Sequence, residues 1–423
     1  MRNVLFAALL TLSALGTRAS GQESPQRGNF KRVDAERKLV IITTEDGKDI
    51  ECAVVPQSMF RNSNNEMIAD FKANAPAAGS NVMFKIERRG DQTVLIGLKI
   101  IGSNGNQSNS NRSTPQVPSP GPPRKSIGVK PLTELGDEKY KGESGGLYGN
   151  NRNEPPVQQQ SSAKAAAARI QPLDETGKPS SKGRIGLLGI GMSNTTQEFS
   201  MFKKLADADP DKSDKVAIVD VAQGGQAATQ WTDPSSEVGM KVWSTVDQRL
   251  KSSNVSSEQV QVVWIKQALI AQAQFGAFPA HAKKLENDLT TTLQLLKRRF
   301  PNLQIAYLSS RIYAGYATTS LNPEPYAYEG AFSIRWIIDS QINGDPKLNC
   351  DAKRGEVKSP VVLWGPYLWA DGISPRLDGL VWDRSDLSER DGTHPSESGR
   401  QKVAEMLKQF FHSDPYAKTW YLK

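Results

Sequence analysis

The chain has 423 residues, of which 37% are hydrophobic and 23% charged, with 34 glycines, 25 prolines and two cysteines. This length favours more than one domain, and the composition excludes a collagen-like or a fully disordered chain. The formal net charge is +8, yet residues 184–423 carry 28 basic against 27 acidic side chains. Because no predicted folded region has a basic face, we expect no nucleic-acid partner.

Residues 1–22 have the pattern of a secretory signal peptide. Arg2 precedes an apolar run from Val4 to Leu15, and small residues follow that run. The run of about 12 residues is shorter than the roughly 20 that a spanning helix needs, which favours cleavage over a membrane anchor. The sequence therefore predicts an exported protein, periplasmic, cell-surface or extracellular, with no integral membrane segment after cleavage.

Residues 30–101 are rich in β-branched residues and predict a small antiparallel β-barrel or sheet. An Asp-Gly pair at residues 46–47 lies between two such runs, which is a hairpin signal. The predicted strands are Lys38–Thr44, Asp49–Val55, Asn81–Glu87 and Gln92–Ile101. This region has no histidine and no clustered acid pair, so binding or spacing suits it better than catalysis, and a folding cap is an equal alternative.

Residues 102–183 are rich in Pro, Ser, Asn and Gln, and we expect a disordered linker there. A stretch of this composition cannot bury enough apolar surface to offset the entropy of its ordered chain. Its proline-rich pieces, such as Pro118–Pro123, would be stiffer than the rest.

From residue 184 to 423, short apolar runs alternate with longer helical patterns. The predicted strands are Ile185–Ile190, Lys215–Val221, Val260–Ile265, Leu303–Leu308 and Pro360–Trp364. The predicted helices are Glu198–Ala208, Met240–Lys251, His281–Phe300, Tyr328–Asn343 and Glu397–Phe411. Such alternation indicates an α/β fold with a parallel sheet that helices cover on both faces. In such sheets the functional site lies at the carboxyl ends of the strands.

The first two of these strands end in residues that suit an acyl-transfer site. Ser193 follows Gly191 and precedes a predicted helix, where a sharp turn can present its hydroxyl and amide hydrogens favour negative charge. Gly224 and Gly225 follow the second strand and can expose backbone N–H groups to an oxyanion. A helix N-cap at Ser193 and an ordinary tight turn at the glycines are the alternatives.

Near the C-terminus, Asp391 and His394 precede an amphipathic helix. A serine nucleophile needs an imidazole base, and the base needs a carboxylate that fixes its tautomer and stabilises the imidazolium. One loop supplies both groups here, although an N-cap pair or a surface histidine would give the same pattern. The three histidines His281, His394 and His412 are not closely spaced, so we expect no metal and no other cofactor. Two cysteines, at positions 52 and 350, make no disulfide framework, and whether they pair stays open.

With Ser193, the glycine pair and the Asp391–His394 block, residues 184–411 resemble the SGNH (GDSL-like) hydrolase family. That resemblance implies a flavodoxin-like three-layer α/β/α sandwich and metal-free ester hydrolysis. It also implies an oxyanion hole formed by the amide of Ser193, by Gly225 or Gly224, and by an asparagine that follows the third strand in that family. Two features depart from the family pattern. Met192 stands where the family has aspartate, and Gln267, with Lys266 beside it, stands where the asparagine is expected.

The sequence thus predicts a secreted serine esterase with Ser193 as nucleophile, His394 as base, Asp391 as its partner, and Ser193, Gly225 and Gln267 around the oxyanion. Aromatic residues after two strands, in 311–316 and 364–372, suit a sugar platform, although core filling explains them equally well. The expected substrate is therefore a short acyl ester, with an acetylated carbohydrate as the leading example. The alternatives are a non-catalytic SGNH-like module that binds carbohydrate or the cell surface, and a lysophospholipase-like activity.

Overall fold

A computed structural model describes residues 26–34, 36–61, 75–101 and 123–423. The chain divides into two compact units, residues 1–112 and 113–423. The signal peptide that the sequence predicts over residues 1–22 lies outside the described residues and stays a prediction. Within the described ranges, no helix combines the length and the apolar character that crossing a membrane requires.

The first unit is a closed five-stranded β-barrel. Its strands are β1 (Gln26–Asp34), β2 (Leu39–Thr44), β3 (Asp49–Arg61), β4 (Asn81–Arg89) and β5 (Gln92–Ile100). They pair in the order β1-β2-β3-β5-β4, and β1 pairs again with β4. The small all-β domain is confirmed, with two differences: it begins at β1, before the predicted boundary at residue 30, and β3 and β5 run parallel.

Alternating side chains fill the barrel. Along β4, buried and more accessible residues alternate, and Val82, Phe84 and Ile86 point inward. Closing the sheet on itself pairs the strand edges that an open sheet would expose. Cys52 belongs to this core, where burial raises the pKa of its thiol to about 12. Both Cys52 and Cys350 are free thiols.

The second unit is mixed α/β. After a short hairpin, β6 (Lys139–Tyr140) and β7 (Glu143–Ser144), its sheet strands are β8 (Ile185–Gly191), β9 (Val216–Asp220), β10 (Val260–Lys266), β11 (Ile305–Leu308) and β12 (Val361–Trp364). Its helices are α1 (Val157–Ala167), α2 (Ser193–Asp207), α3 (Glu237–Ser252), α4 (Ala280–Arg299), α5 (Tyr326–Ile342), α6 (Glu397–Ser413) and α7 (Lys418–Tyr421).

The five strands of this sheet, β8 to β12, are all parallel and lie in the order β12-β11-β10-β8-β9. This is the strand order of flavodoxin-like open sheets, in which a crevice opens where the order reverses, between β8 and β10 here. Every residue of β8 and of β10 is buried. Such fully buried, largely apolar strands are typical of a parallel sheet that is covered on both faces.

The prediction of a disordered linker over residues 102–183 is wrong for residues 123–183. Leu132, Leu135 and Ala163 are buried in the same hydrophobic core as the sheet, and α1 packs beside β11 and β12. The stretch is polar on average, but it contains a few apolar residues that pack into the core. Ala163, Ala166 and Ala167, from a stretch that looks like low complexity, lie on the buried face of α1, where small side chains let a helix approach the sheet closely.

Two glutamines cover the outer edge of β12. Gln159 of α1 donates from Nε2 to the carbonyl oxygen of Val362 at 2.7 Å, and the N–H of Val362 donates to Oε1 of Gln341 at 2.8 Å. Without such partners the exposed edge of the strand would be left with unpaired backbone groups. The segment before residue 184 therefore packs on the sheet and, with Gln341 of α5, pairs the outer edge of β12.

We expect Gln159→Ala to lower the free energy of unfolding by about 1–3 kcal/mol, because it leaves a buried carbonyl without a donor. Gln158→Ala, one residue away on the exposed side of α1, should change it by less than about 0.5 kcal/mol. Urea denaturation of the full chain measures both. Equal and negligible effects would mean that this segment does not pack on the sheet.

Candidate active site

Ser193 lies where β8 turns into α2, at the switch point of the sheet. It is the first residue of α2, and the first N–H groups of a helix have no partner within the helix. Gly191 makes the turn possible, since a Cβ atom there would lie 2.3 Å from the carbonyl oxygen of Lys266. The hydroxyl of Thr195 donates to that same oxygen at 2.7 Å and ties the turn to β10.

The structure brings together the three side chains that the sequence singles out for proton transfer. Oγ of Ser193 lies 2.8 Å from Nε2 of His394, and Nδ1 of His394 lies 2.8 Å from Oδ2 of Asp391. With the carboxylate accepting from Nδ1–H, Nε2 is left free to accept the serine proton. The side chain of His394 is 25% exposed, so a substrate can reach this end of the chain of hydrogen bonds.

The loop that carries Asp391 and His394 is held from both sides. Nδ2 of Asn194, the residue after the serine, donates to the carbonyl oxygen of Thr393 at 2.8 Å, and the N–H of Thr318 donates to that of Asp391 at 3.0 Å. Asn194 is buried. This role could not be inferred from the sequence, because the partner of Asn194 lies 199 residues away.

Asp391 is held in its charged form. Burial alone would raise the pKa of this carboxyl group, but the backbone N–H groups of His394 and Thr393 and the imidazole of His394 lower it below its ordinary value of 3.8. Oδ1 accepts the two backbone hydrogens at 3.0 and 2.9 Å, which leaves Oδ2 for the imidazole. One carboxylate therefore fixes both the loop and the imidazole ring.

Two glycines follow β9, and Gly224 lies beside the serine. A Cβ atom built on Gly224 would lie 3.7 Å from Cβ of Ser193, and Gly225 has a φ of +78°, which favours glycine. In the described part of the chain, neither glycine N–H donates to a protein acceptor. Asp220 fastens this loop to α2, since Oδ1 accepts from the N–H of Ala222 at 3.0 Å and Oδ2 from Ser200 at 2.9 Å.

Gln267 follows β10, as the third position of the predicted oxyanion site. Its Nε2 donates to the carbonyl oxygen of Gln226 at 3.2 Å, and its Oε1 accepts from the N–H of Ala268 at 3.3 Å. One of its two amide hydrogens thus links the end of β10 to the glycine loop. The neighbouring Lys266 turns away into the core, where its ammonium group pairs with Glu198.

The ion pair of Lys266 and Glu198 is a feature that sequence reasoning missed. The side chains are 1% and 0% exposed, respectively. Burial lowers the pKa of Lys266 to about 8 and raises that of Glu198, while each charge opposes the effect on its partner. A lysine at the end of a largely apolar strand was the available signal, because a buried charge needs a partner.

The aromatic residues considered for a sugar platform belong to the core. Tyr313, Tyr316, Trp364 and Trp369 are each less than 5% exposed, and Trp369 donates from Nε1 to Glu324 at 2.8 Å. The core-filling alternative therefore describes them, and the platform prediction is wrong for these residues. A position just after a strand does not by itself show whether an aromatic side chain lies on the rim of a site or in the core.

The other two histidines also have carboxylate partners, but they lie elsewhere. Nε2 of His281 is 2.7 Å from Oε2 of Glu329, and Nε2 of His412 is 2.5 Å from Oδ2 of Asp209. Across residues 26–34, 36–61, 75–101 and 123–423, no group of three or more His, Cys, Asp or Glu side chains is placed to hold one metal ion. Of the three histidines, His394 is the one whose imidazole lies within hydrogen-bond distance of a serine hydroxyl.

No protein-family model and no curated protein matches the chain. Among solved structures, the barrel is similar to CusF from Escherichia coli, at 14% identity over 22% of this chain and 100% of that one, with a TM-score of 0.16. Protein YxiM from Bacillus subtilis matches at 9% identity over 55% of this chain and 57% of that one, with a TM-score of 0.28.

A gut microbial diltiazem-metabolizing enzyme, BT4096, matches at 13% identity over 57% of this chain and 48% of that one, also with a TM-score of 0.28. The chain thus spans about half the length of these last two proteins. At these identities and TM-scores the similarities carry no argument about the site, so its chemistry is argued from its side chains.

We expect Asp391→Asn to destabilise the fold in a pH-dependent way. Because the pKa of Asp391 is lowered on folding, its charge stabilises the fold above the ordinary value of 3.8, and this stabilisation disappears as the pH falls through the folded value. The loss of unfolding free energy should be about 1.5–3 kcal/mol at pH 7, as for hydrogen bonds to a charged group, and should shrink towards pH 3.

Urea denaturation at several pH values measures this difference. Glu389→Gln is the matched control, since Glu389 is an exposed carboxylate two residues away in the same loop. Its effect should stay within about 0.5 kcal/mol. A loss in Asp391→Asn that does not change with pH would contradict the assignment of the charge to this carboxylate.

Proposed function

We propose that the second unit is a serine ester hydrolase that acts on short acyl esters. The observation that carries the proposal is the continuous chain of hydrogen bonds from Asp391 through His394 to Ser193, with 2.8 Å at each of its side-chain links. Hydrogen-bond contact among a nucleophile, a base and an orienting carboxylate is the geometry that acyl transfer requires.

In the proposed reaction, Nε2 of His394 takes the proton of Ser193 while Oγ attacks the ester carbonyl. The imidazolium then gives the proton to the leaving alkoxide, and an acyl-serine remains. Water, deprotonated by the same nitrogen, attacks the acyl-serine; the bond between the acyl carbon and Oγ breaks, Oγ takes the proton back from the imidazolium, and the carboxylic acid leaves. Asp391 stays ionised throughout and stabilises the imidazolium in both halves of the reaction.

The negative charge on the attacked carbonyl oxygen needs donors near Ser193. We propose the amide N–H of Ser193, the N–H of Gly225 or Gly224, and the second amide hydrogen of Gln267. The position of Ser193 at the start of α2 supports this, since the N-terminus of a helix favours negative charge. The two glycine N–H groups have no other acceptor among the described residues.

The same proposal includes an SGNH-type α/β/α sandwich, for which the observed strand order is the support. It also includes export and an acetyl ester as the first substrate to test. Because the aromatic residues are buried, they do not indicate whether the alcohol part of the substrate is a sugar. A comparison of hydrolysis rates for acetylated xylan and simple nitrophenyl esters tests this.

We expect Ser193→Ala and His394→Ala to lower kcat for nitrophenyl acetate at least about 10³-fold, because either change removes the attacking or the proton-accepting group. Two variants serve as controls. Ser252→Ala removes an exposed hydroxyl at the end of α3, and His412→Ala breaks another histidine–carboxylate pair. Both controls should keep kcat within about threefold, as changes away from the site. A folded but inactive unmodified chain would favour the non-catalytic module.

We expect Gln267→Ala to lower kcat about 10²- to 10³-fold with little change in KM, because a donor to the oxyanion acts only in the transition state. Gln274→Ala, an exposed glutamine whose amide donates to the carbonyl oxygen of Ile270, is the control. Steady-state kinetics with nitrophenyl acetate measure both. A threefold effect or less would leave the backbone N–H groups as the donors and Gln267 as a fastener of the glycine loop.

A further inference from the structure

A small enclosed cavity lies at the carboxyl ends of β10 and β11, beyond the chain of hydrogen bonds described above. The residues that line it come from the ends of both strands, from α4, and from the segment that leads into α5: Gln267, Ala268, Ser310, Arg311, Asn322 and Tyr326 are among them. Its volume is about 10 Å³, which is room for one water-sized group. Half-buried Tyr326 forms part of its wall.

Arg311 brings an unpartnered charge to this cavity. The residue is 4% exposed, and Nε and Nη2 of its guanidinium group have no hydrogen-bond partner in the described part of the chain. A guanidinium group stays charged in proteins and offers a planar set of donors that matches a carboxylate. A buried charge without a partner is costly, so such a group is a mark of a ligand site.

The acidic groups near Arg311 are already engaged. Glu198 pairs with Lys266, and Asp391 accepts from His394 and from two backbone N–H groups. Glu324 accepts from the backbone N–H groups of residues 314 and 328 and from the indole of residue 369. Each of these carboxylates influences the guanidinium through space, but none accepts a hydrogen bond from it.

Three further side chains in the cavity wall have unpartnered polar atoms. Oγ of Ser310, Oδ1 of Asn322 and Oε1 of Gln272 are buried, and none has a hydrogen-bond partner among the described residues. All three residues are 2% exposed. The two amide oxygens only accept hydrogen bonds, so of these three atoms the hydroxyl is the one that can donate to an anion. A hydroxyl beside a guanidinium group adds a neutral donor that can rotate towards an anion.

The cavity adjoins the loops that carry Ser193 and His394. Ala268 in its wall packs against Met192, the residue before the serine, and against Ala227 of the glycine loop. The segment after Arg311 also reaches the other loop, since Thr318 donates to the carbonyl oxygen of Asp391. A group bound at Arg311 would therefore lie close to the loops that carry the reacting serine and its base.

We propose that this cavity is a subsite in which Arg311, with Ser310, binds a small carboxylate group. The inference rests on the proposed ester hydrolysis and adds the chemical class of the group held beside Ser193. Two sources share this chemistry: a carboxylate that is part of the substrate, and the short carboxylate that hydrolysis releases. A carboxylate is larger than one water molecule, so its binding displaces the side chain of Tyr326 from the wall.

The test uses the full chain with sodium acetate and, as a neutral molecule of the same shape, acetamide, at constant ionic strength. We expect acetate to raise the melting temperature and to inhibit ester hydrolysis competitively, and acetamide to do neither. In Arg311→Gln the inhibition constant of acetate should rise at least tenfold. Arg298→Gln, which removes an exposed arginine of α4, should leave it unchanged.

A substrate pair distinguishes the two sources. If the carboxylate belongs to the substrate, the chain should hydrolyse nitrophenyl hemisuccinate with a higher kcat/KM than nitrophenyl butyrate, and Arg311→Gln should reverse this preference. If the carboxylate is the product, acetate inhibition should depend on Arg311 without such a preference. Ser310→Ala, a milder change, should raise the inhibition constant of acetate even if Arg311→Gln does not fold.

Equal effects of acetate and acetamide, or an unchanged inhibition constant in both Arg311→Gln and Ser310→Ala, would overturn the inference and leave a cavity that holds water only. Stabilisation by acetate without competition would also overturn it, because the anion would then lie off the substrate path. The melting temperature does not depend on turnover. A chain that acetate stabilises through Arg311 but that hydrolyses no ester would therefore contradict the proposed function alone.

Discussion

The site depends on one hydrogen bond, between Oγ of Ser193 and Nε2 of His394, which joins residues 201 positions apart in the chain. No local preference can form it, so it exists only when the helices that hold both residues are packed together. α2 begins at the serine and lies beside α6, which begins just after the histidine, and rings of Phe202 and Phe411 stack between them at 5.4 Å. The hydrophobic core thus sets the distance on which proton transfer depends.

Buried polar groups then fix the finer geometry. Asn194 holds the histidine loop, Asp220 holds the glycine loop, and the pair of Glu198 and Lys266 lies under the start of α2. Burying a charged or amide group is costly without a partner, and a hydrogen bond is stronger in the protein interior than in water. Each of these groups therefore holds its partner in place. The guanidinium of Arg311 is also buried, but its Nε and Nη2 have no hydrogen-bond partner among the described residues to offset the cost of burial, and for this reason it points to a ligand.

Periodicity and turn chemistry were enough to predict most of the elements. All five predicted strands of the second unit have counterparts within a few residues, because continuous apolar runs between helical patterns leave little choice of register. Ser193, Asp391 and His394 could be singled out because each follows a strand or precedes a helix in a chemically specific context. Arg311 and Glu198 could not be recognised, since their meaning comes from burial and from contacts between distant segments. The linker prediction failed over residues 123–183 because average composition does not register a few well-placed leucines and alanines.

The most direct test of the account is covalent trapping of Ser193. The purified chain is incubated with an alkyl fluorophosphonate, which reacts with a serine hydroxyl that a base has activated, and the labelled peptide is identified by mass spectrometry. We expect a single adduct on Ser193, which forms in the unmodified chain and in His412→Ala but not in His394→Ala. A folded chain with no adduct, or with an adduct on another serine, would contradict it.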